Sequence, residues 1–151
     1  MTTVVRSHQV LIHDPLQSVF DYVSDLTRHP EWSGGELKIE ALAPGPITVG
    51  KEYVSRGEVA VQKDRPNTVR VTKYESPHTF GFVARDPDFG EVPHLFTFAA
   101  QDGGILVKRT MTVSLHPSMA FLFRFFIYPL IGRPSMDKSL ARLKAKLEEK
   151  L

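Results

Sequence analysis

Residues 91–115 read EVPHLFTFAAQDGGILVKRTMTVSL. Two runs of alternating side chains flank Asp102-Gly103-Gly104, which is typical of the tight turn in a β-hairpin. In the second run, Arg109 shares one face with apolar side chains, while polar side chains occupy the other face. The first run sets one group of side chains on a common face, namely Val92, His94, Phe96 and Phe98. This stretch therefore predicts two antiparallel strands whose inner face is apolar and rich in aromatic rings.

The same alternation extends back along the chain to residue 36. It predicts a six-strand antiparallel meander, with strands near residues 36–43, 51–61, 68–75, 79–85, 91–100 and 105–115. The predicted turns are rich in proline, glycine and aspartate: Pro44-Gly45-Pro46, Asp64-Arg65-Pro66-Asn67, Ser76-Pro77, Asp86-Pro87-Asp88 and Asp102-Gly103-Gly104. Residues 4–12 predict one further strand, so we expect a sheet of about seven strands.

Two short helices are predicted after the first strand. Asp14 is placed to cap a helix with Pro15 at its first position. Apolar side chains then recur at helical spacing, at Leu16, Val19, Phe20 and Val23. A second helical turn is predicted from Asp25 to His29-Pro30, because the residue before a proline is disfavoured in the helical conformation.

The chain after His116-Pro117 predicts one long C-terminal helix. Residues 119–131 are apolar almost all round. The segment that follows is amphipathic, with a leucine stripe at Leu140, Leu143, Leu147 and Leu151. A proline inside a helix removes a hydrogen bond, so Pro129 and Pro134 predict a bend within residues 129–134.

Composition indicates an ordinary globular chain of one domain, residues 1–151. Its formal charge of +2 is too small to indicate a nucleic-acid partner. The chain has no cysteine, which excludes disulfides and thiolate ligands, and its first residues do not resemble a secretory signal. We therefore expect a cytoplasmic protein. Residues 119–131 contain Arg124 and fall short of the about 20 apolar residues of a spanning helix, so no transmembrane segment is expected.

A second stretch carries a family resemblance. Residues 12–25 read IHDPLQSVFDYVSD, and residues 29–33 continue as HPEWS. Together with the Gly103-Gly104 hairpin and the closing LKAKLE at 143–148, this pattern resembles the START-like (SRPBCC) superfamily, in its polyketide cyclase/dehydrase and lipid-transport branch. The resemblance covers the whole chain. It implies an α+β helix-grip fold, in which a curved antiparallel sheet wraps a long C-terminal helix.

The resemblance also implies a cavity between the sheet and the C-terminal helix that holds a hydrophobic small molecule. The inner-face and helix residues then become ligand-binding candidates: Trp32, Phe80, Phe82, His94, Phe96, Phe98, Arg109, Met111, Phe121, Phe125 and Tyr128. For any single aromatic ring, ordinary core packing is favoured over contact with a ligand, since protein interiors are close-packed.

Three residues are candidates for chemistry: His94, Arg109 and Tyr128. Arg109 stands on an apolar face, where a charge is costly unless it meets an acid, backbone carbonyls, water or an anionic ligand. His94 is predicted to face inward and to orient or protonate a carbonyl group, or else to be a satisfied core histidine. No histidine pair has metal-ligand spacing, and no phosphate-binding glycine loop is present, so neither a metal nor a cofactor is expected.

Three hypotheses for function follow. The first is a noncatalytic protein that binds a lipid, an isoprenoid or an aromatic polyketide-like molecule. The second is a polyketide cyclase or dehydratase acting on a bound poly-ketone chain, and no convincing catalytic set in the sequence decides between the two. The third is a surface role for residues 119–131, which would bind a bilayer or form a homodimer. We expect instead that this run is buried against the sheet.

Overall fold

The computed structural model describes residues 1–59, 62–87 and 90–149, and it describes residues 58–59 and 62–65 by their backbone alone. Seven strands form one antiparallel sheet: β1 (Thr2–Ile12), β2 (Leu37–Ala41), β3 (Glu52–Val59), β4 (Gln62–Glu75), β5 (Thr79–Asp86), β6 (Gly90–Gln101) and β7 (Gly104–Leu115). Their order is β1-β7-β6-β5-β4-β3-β2. The strands from β2 to β7 form the predicted meander, and β1 is added at the β7 edge.

The hairpin of β6 and β7 is confirmed. The strands pair from Gln101 opposite Gly104 to His94 opposite Met111. The two turn residues both have positive φ, +47° at Asp102 and +78° at Gly103. This is the backbone of a type I′ turn, which Asp-Gly sequences favour because glycine tolerates the left-handed conformation.

The turn predicted at Asp64-Arg65-Pro66-Asn67 is wrong. β4 runs straight through these residues and pairs with β3, where Arg56 lies opposite Pro66 and Ser55 opposite Asn67. Pairing of β4 with β5 begins only at Thr68, so among the described residues Pro66 is paired with β3 alone. A strand with one neighbour tolerates the missing proline N–H, which is why a proline here does not end the strand.

The first helix, α1 (Leu16–Ser24), begins one residue later than predicted. Pro15 takes the capping position, and no side chain caps the helix. Asp25 instead caps the next element, a 3₁₀ helix (Leu26–Glu31), by accepting a hydrogen bond from the Thr27 N–H at 3.1 Å. The 3₁₀ helix runs through Pro30 rather than stopping before it.

The C-terminal helix runs from Pro117 to Glu148 in three parts: α2 (Pro117–Leu122), a π-helical segment (Phe123–Gly132) and α3 (Arg133–Glu148). Within residues 129–134, where a bend is predicted, the helix changes from π-helical to α-helical winding. In the π-helical segment the Arg133 N–H donates to the carbonyl of Tyr128, five residues back. The wider winding accommodates Pro129, which has no N–H to donate.

Two apolar clusters join the helix to the sheet. The larger contains Leu140, Leu143 and Leu147 of α3, together with inner-face rings such as Phe80 and Phe98. Leu151 of the predicted stripe lies outside the described residues. The smaller cluster joins Phe123 and Tyr128 to residues of β1, β6 and β7, namely Val4, Val92, Val113 and Leu115. The C-terminal helix therefore covers two separate parts of the sheet.

We expect Leu143→Ala to lower the free energy of unfolding by about 2–5 kcal/mol, because Leu143 is fully buried where α3 meets the sheet. Urea denaturation followed by circular dichroism measures the change. The matched control is Leu42→Ala at an exposed leucine, for which we expect a change within about 0.5 kcal/mol. Equal effects of the two substitutions would show that α3 is not packed as described.

Candidate functional site

A cavity of about 670 Å³ lies between the inner face of the sheet and the C-terminal helix, in the space between the two apolar clusters. Apolar side chains from both sides make most of its wall: Phe82, Met111, Val113, Phe123, Ile127 and Ile131. This volume lies within the range of about 300–1,000 Å³ that is usual for small-molecule sites.

The cavity mouth is formed where a loop approaches the C-terminal helix. We define the mouth by the lining residues that are exposed, Leu130, Pro134, Ser135 and Lys138 of the C-terminal helix, together with half-buried Gly34, which approaches Ser135. A Cβ atom on Gly34 would lie 2.4 Å from the carbonyl oxygen of Ser135. Glycine is needed at this position because any side chain would collide with the helix backbone.

Strand register places Arg109 on the inner face. Arg109 lies opposite His8 of β1 and opposite Phe96 of β6, and directly paired residues of antiparallel strands share a face. His94 is paired with Met111, two residues further along β7, so His94 and Arg109 are diagonal neighbours. Plain alternation along β6 and β7, with no bulge between them, brings this pair together.

The Arg109 guanidinium is buried, and no carboxylate of a described side chain pairs with it. Its side chain is 7% exposed and lies over the rings of Phe96 and Trp32, at 5.3 and 6.0 Å from their centroids. None of the ion pairs among the described residues involves Arg109, and its Nε has no hydrogen-bond partner there. Burial lowers the pKa of Arg109 to about 10, so the group remains a cation at neutral pH. A cation on the cavity wall that forms no ion pair within the described part of the chain favours an anionic or oxygen-bearing ligand.

Two histidines stand beside this cation, and both are held neutral. Burial lowers the pKa of His29 to about 3, with a further contribution from the Arg109 charge. The same two causes hold the pKa of His94 well below its usual range. Arg109 Nη2 lies 3.4 Å from His94 Nδ1. Because a guanidinium only donates, Nδ1 must accept, and the proton of neutral His94 is on Nε2.

The predicted ligand-binding residues fall into three groups. Those that line the cavity are Phe82, His94, Arg109 and Met111. Four others are buried in the larger apolar cluster and do not line it: Trp32, Phe80, Phe96 and Phe98. The remaining three lie elsewhere on the C-terminal helix, with Phe121 and Phe125 exposed and Tyr128 buried against β1.

Tyr128 takes part in a separate polar contact. Its hydroxyl forms a short hydrogen bond with His8 Nε2, and His8 Nδ1 lies 2.7 Å from a carboxylate oxygen of Asp137. The imidazole thus ties β1 to both the π-helical segment and α3. Tyr128 does not line the cavity, and its hydroxyl is engaged by His8.

Sequence reasoning missed several wall residues. His29 follows Leu26 by three residues in the 3₁₀ helix, so helical spacing was the signal that both face the cavity. Phe123 and Ile127 were missed because the run 119–131 is apolar almost all round and gives no helical phase. Within the described ranges, no three His, Asp or Glu side chains are grouped so that they could hold a metal ion.

The buried histidines generate a pH prediction. Below about pH 6.5 the unfolded chain binds a proton at His29 that the folded chain does not bind until about pH 3. The unfolded state therefore binds more protons, and stability falls as the pH is lowered. We expect His29→Gln to reduce the slope of unfolding free energy against pH, between pH 6 and 5, by about 1 kcal/mol per pH unit. Urea denaturation at several pH values measures this slope.

The matched control for the pH experiment is His78→Gln, which replaces an exposed histidine and removes no buried ionisable group. We expect it to leave the slope of unfolding free energy unchanged. An identical slope in wild type and His29→Gln would contradict a buried, neutral His29.

The fold agrees with that of solved proteins. TTHA0849 from Thermus thermophilus superposes with a TM-score of 0.77 at 18% identity, over 97% of this chain and 99% of that protein. A norcoclaurine synthase point mutant from Thalictrum flavum, in complex with a transition state analogue, gives 0.74 at 13% identity, over 99% and 96%. The di-domain ARO/CYC StfQ of the steffimycin biosynthetic pathway gives 0.72 at 11% identity, over 98% of this chain and 52% of that one.

These identities are low, so the superpositions show a shared fold alone. Comparison with curated protein sequences finds no significant match. The family model for "Polyketide cyclase / dehydrase and lipid transport" matches residues 1–148, nearly the whole sequence. The chain therefore belongs to the polyketide cyclase/dehydrase and lipid-transport family, with the helix-grip fold of the START-like superfamily.

Proposed function

We propose that this protein binds an amphipathic small molecule, a lipid, isoprenoid or aromatic polyketide-like compound, in the cavity between sheet and helix. The observation that carries the proposal is the buried Arg109 guanidinium, which lines a largely apolar cavity and forms no ion pair with a described residue. The apolar body of the ligand lies against Met111, Phe123 and Ile127. Its carboxylate, phenolate or ketone oxygen accepts hydrogen bonds from Arg109.

The magnitudes fit reversible binding. A ligand that buries about 300 Å² of apolar surface gains about 7 kcal/mol before association costs. A hydrogen bond to a charged group adds about 1.5–3 kcal/mol when the partner is already desolvated. After the loss of translational and rotational freedom, dissociation constants in the micromolar range are expected.

The test compares laurate with methyl laurate, two probes that share an apolar chain and differ in charge. Trp32, the only tryptophan, stacks on His29 at 4.2 Å and lies beside Arg109, so its fluorescence reports on binding. We expect wild-type protein to bind laurate at least tenfold more tightly than the ester. Arg109→Met keeps the packing volume but removes the cation, and we expect it to abolish this preference.

Arg85→Met is the matched control, because Arg85 is exposed, pairs with Glu91 and does not line the cavity. It should retain the wild-type preference for laurate. Equal affinity of wild type for acid and ester would refute the role of Arg109 as the ligand anchor. Failure of both probes to bind would refute a linear fatty-acyl ligand.

A second candidate function is cyclisation or dehydration of a poly-ketone chain, and the paired donors Arg109 and His94 favour it. Neutral His94 carries its proton on Nε2, which makes no hydrogen bond to a described residue. A carbonyl oxygen that accepts a hydrogen bond from this N–H is polarised, which favours nucleophilic attack on its carbon, and Arg109 can hold a different oxygen of the same chain. The geometry assigns no step to Tyr128, which is bonded to His8.

For this second function, we expect wild-type protein to alter the cyclised products of a reactive poly-β-ketone, as resolved by liquid chromatography and mass spectrometry. His94→Phe should lose this effect while retaining laurate binding, because it removes the donor but keeps a ring stacked on Phe82. Exposed His78→Phe serves as control. A wild-type product spectrum identical to that without protein would leave ligand binding as the function.

A further inference from the structure

The outer side of the C-terminal helix carries a continuous apolar surface. Six large apolar side chains between residues 119 and 130 are 42–72% exposed, and we call them the aromatic ridge: Met119, Phe121, Leu122, Phe125, Phe126 and Leu130. Rings within it contact one another, with the centroids of Phe121 and Phe125 4.9 Å apart. An exposed apolar patch of this kind marks a surface that is covered in use.

The side chains of the aromatic ridge do not belong to the core between helix and sheet. The same helix already covers the sheet with its other side, through Phe123 and Tyr128, and lines the cavity with Ile127. A helix that is apolar on both sides needs an apolar environment on both sides. The sheet provides one of them, and the ridge faces the other.

Charge indicates what covers the ridge. Residues 103–136 contain no Asp or Glu, although the whole chain has 17. The helix within this region carries exposed Arg124 and Arg133. Aromatic side chains flanked by arginines, with no acid among them, match the surface of a bilayer that contains anionic lipid. A second copy of the chain fits less well, because a two-fold interface would bring the same positive surface together.

The length of the helix limits it to contact with a bilayer surface. No helix in the described part of the chain is long and apolar enough to span a membrane. The ridge also leads to the cavity mouth, since Leu130 is 72% exposed and at the same time lines the cavity. Lys138 stands at the same mouth. A bilayer that contacts the ridge therefore contacts the entrance to the cavity.

We propose that the aromatic ridge docks this protein on anionic bilayer surfaces, with the cavity mouth turned toward the lipid. Docking requires only the ridge and its arginines, so it stands independently of ligand binding. When the cavity is also used as proposed above, the ligand passes between bilayer and cavity without crossing bulk water.

The test is flotation of the purified full chain with vesicles of phosphatidylcholine alone or with about 30% phosphatidylglycerol. We expect wild type to float with the anionic vesicles, less with neutral ones, and less again in about 1 M salt. Phe125→Ser combined with Phe126→Ser should reduce partitioning at least tenfold. Arg124→Gln should reduce it about fivefold on anionic vesicles only.

Three controls keep the outcomes distinct. Leu42→Ser combined with Val49→Ser changes two exposed apolar residues outside the ridge and should partition as wild type does. Arg109→Met should float normally, which separates docking from ligand binding. Thermal unfolding by circular dichroism confirms that the serine variants fold.

Three results would overturn the proposal. The first is wild-type protein that stays out of both vesicle fractions, and the second is serine variants that float as well as wild type. The third is a dimer in sedimentation velocity that the ridge substitutions dissociate, without vesicle binding, which would identify a second copy of the chain as the occupant of the ridge.

Discussion

One helix has to cover the inner face of a seven-strand sheet, and the rest of the structure follows from this constraint. The leucine stripe of α3 covers the part near α1, where Leu143 and Leu147 are buried with Phe20 and Phe98. The π-helical segment covers a second part near β1 and β7, through Phe123 and Tyr128. The cavity lies between these two contacts and is lined by residues of both the helix and the sheet, such as Ile127 and Phe82. The site is thus a consequence of how a rod packs on a curved sheet.

The polar end of the cavity comes from the pleat of the sheet. Successive inner-face positions on β7 are Val107, Arg109 and Met111, so a cation replaces one apolar residue in a regular series. Aromatic rings surround it, and their faces partly offset the loss of water around the guanidinium. They provide no oxygen acceptor. The two neutral histidines carry no negative charge either. These neighbours therefore leave the positive charge of Arg109 uncompensated, and a ligand in the cavity can compensate it.

The strands, in which side chains alternate between two faces, were predicted well from the sequence. The side of the C-terminal helix that faces the sheet was not. Alternation in residues 91–115 gave the hairpin and set His94, Arg109 and Met111 on the side that the structure assigns to the cavity wall. The turn predicted around Pro66 failed because a proline in a strand with one neighbour costs little, and sequence does not show how many neighbours a strand has. Phe121 and Phe125 were chosen over Phe123 and Ile127 because a run that is apolar on all sides does not reveal which side meets the sheet.

The position of β1 affects how the chain assembles. Its pairing with β7 joins Thr2 to Leu115 and Ile12 to Ile105, so these contacts link residues about a hundred positions apart. On a ribosome, β1 leaves the exit tunnel early but has to wait for its neighbour until β7 has been made. The meander from β2 to β7 grows by hairpins in the meantime, with the β7 edge open at the end. Addition of β1 and closure of the C-terminal helix, which His8 ties together, therefore both have to follow the synthesis of β7, and so does completion of the cavity wall.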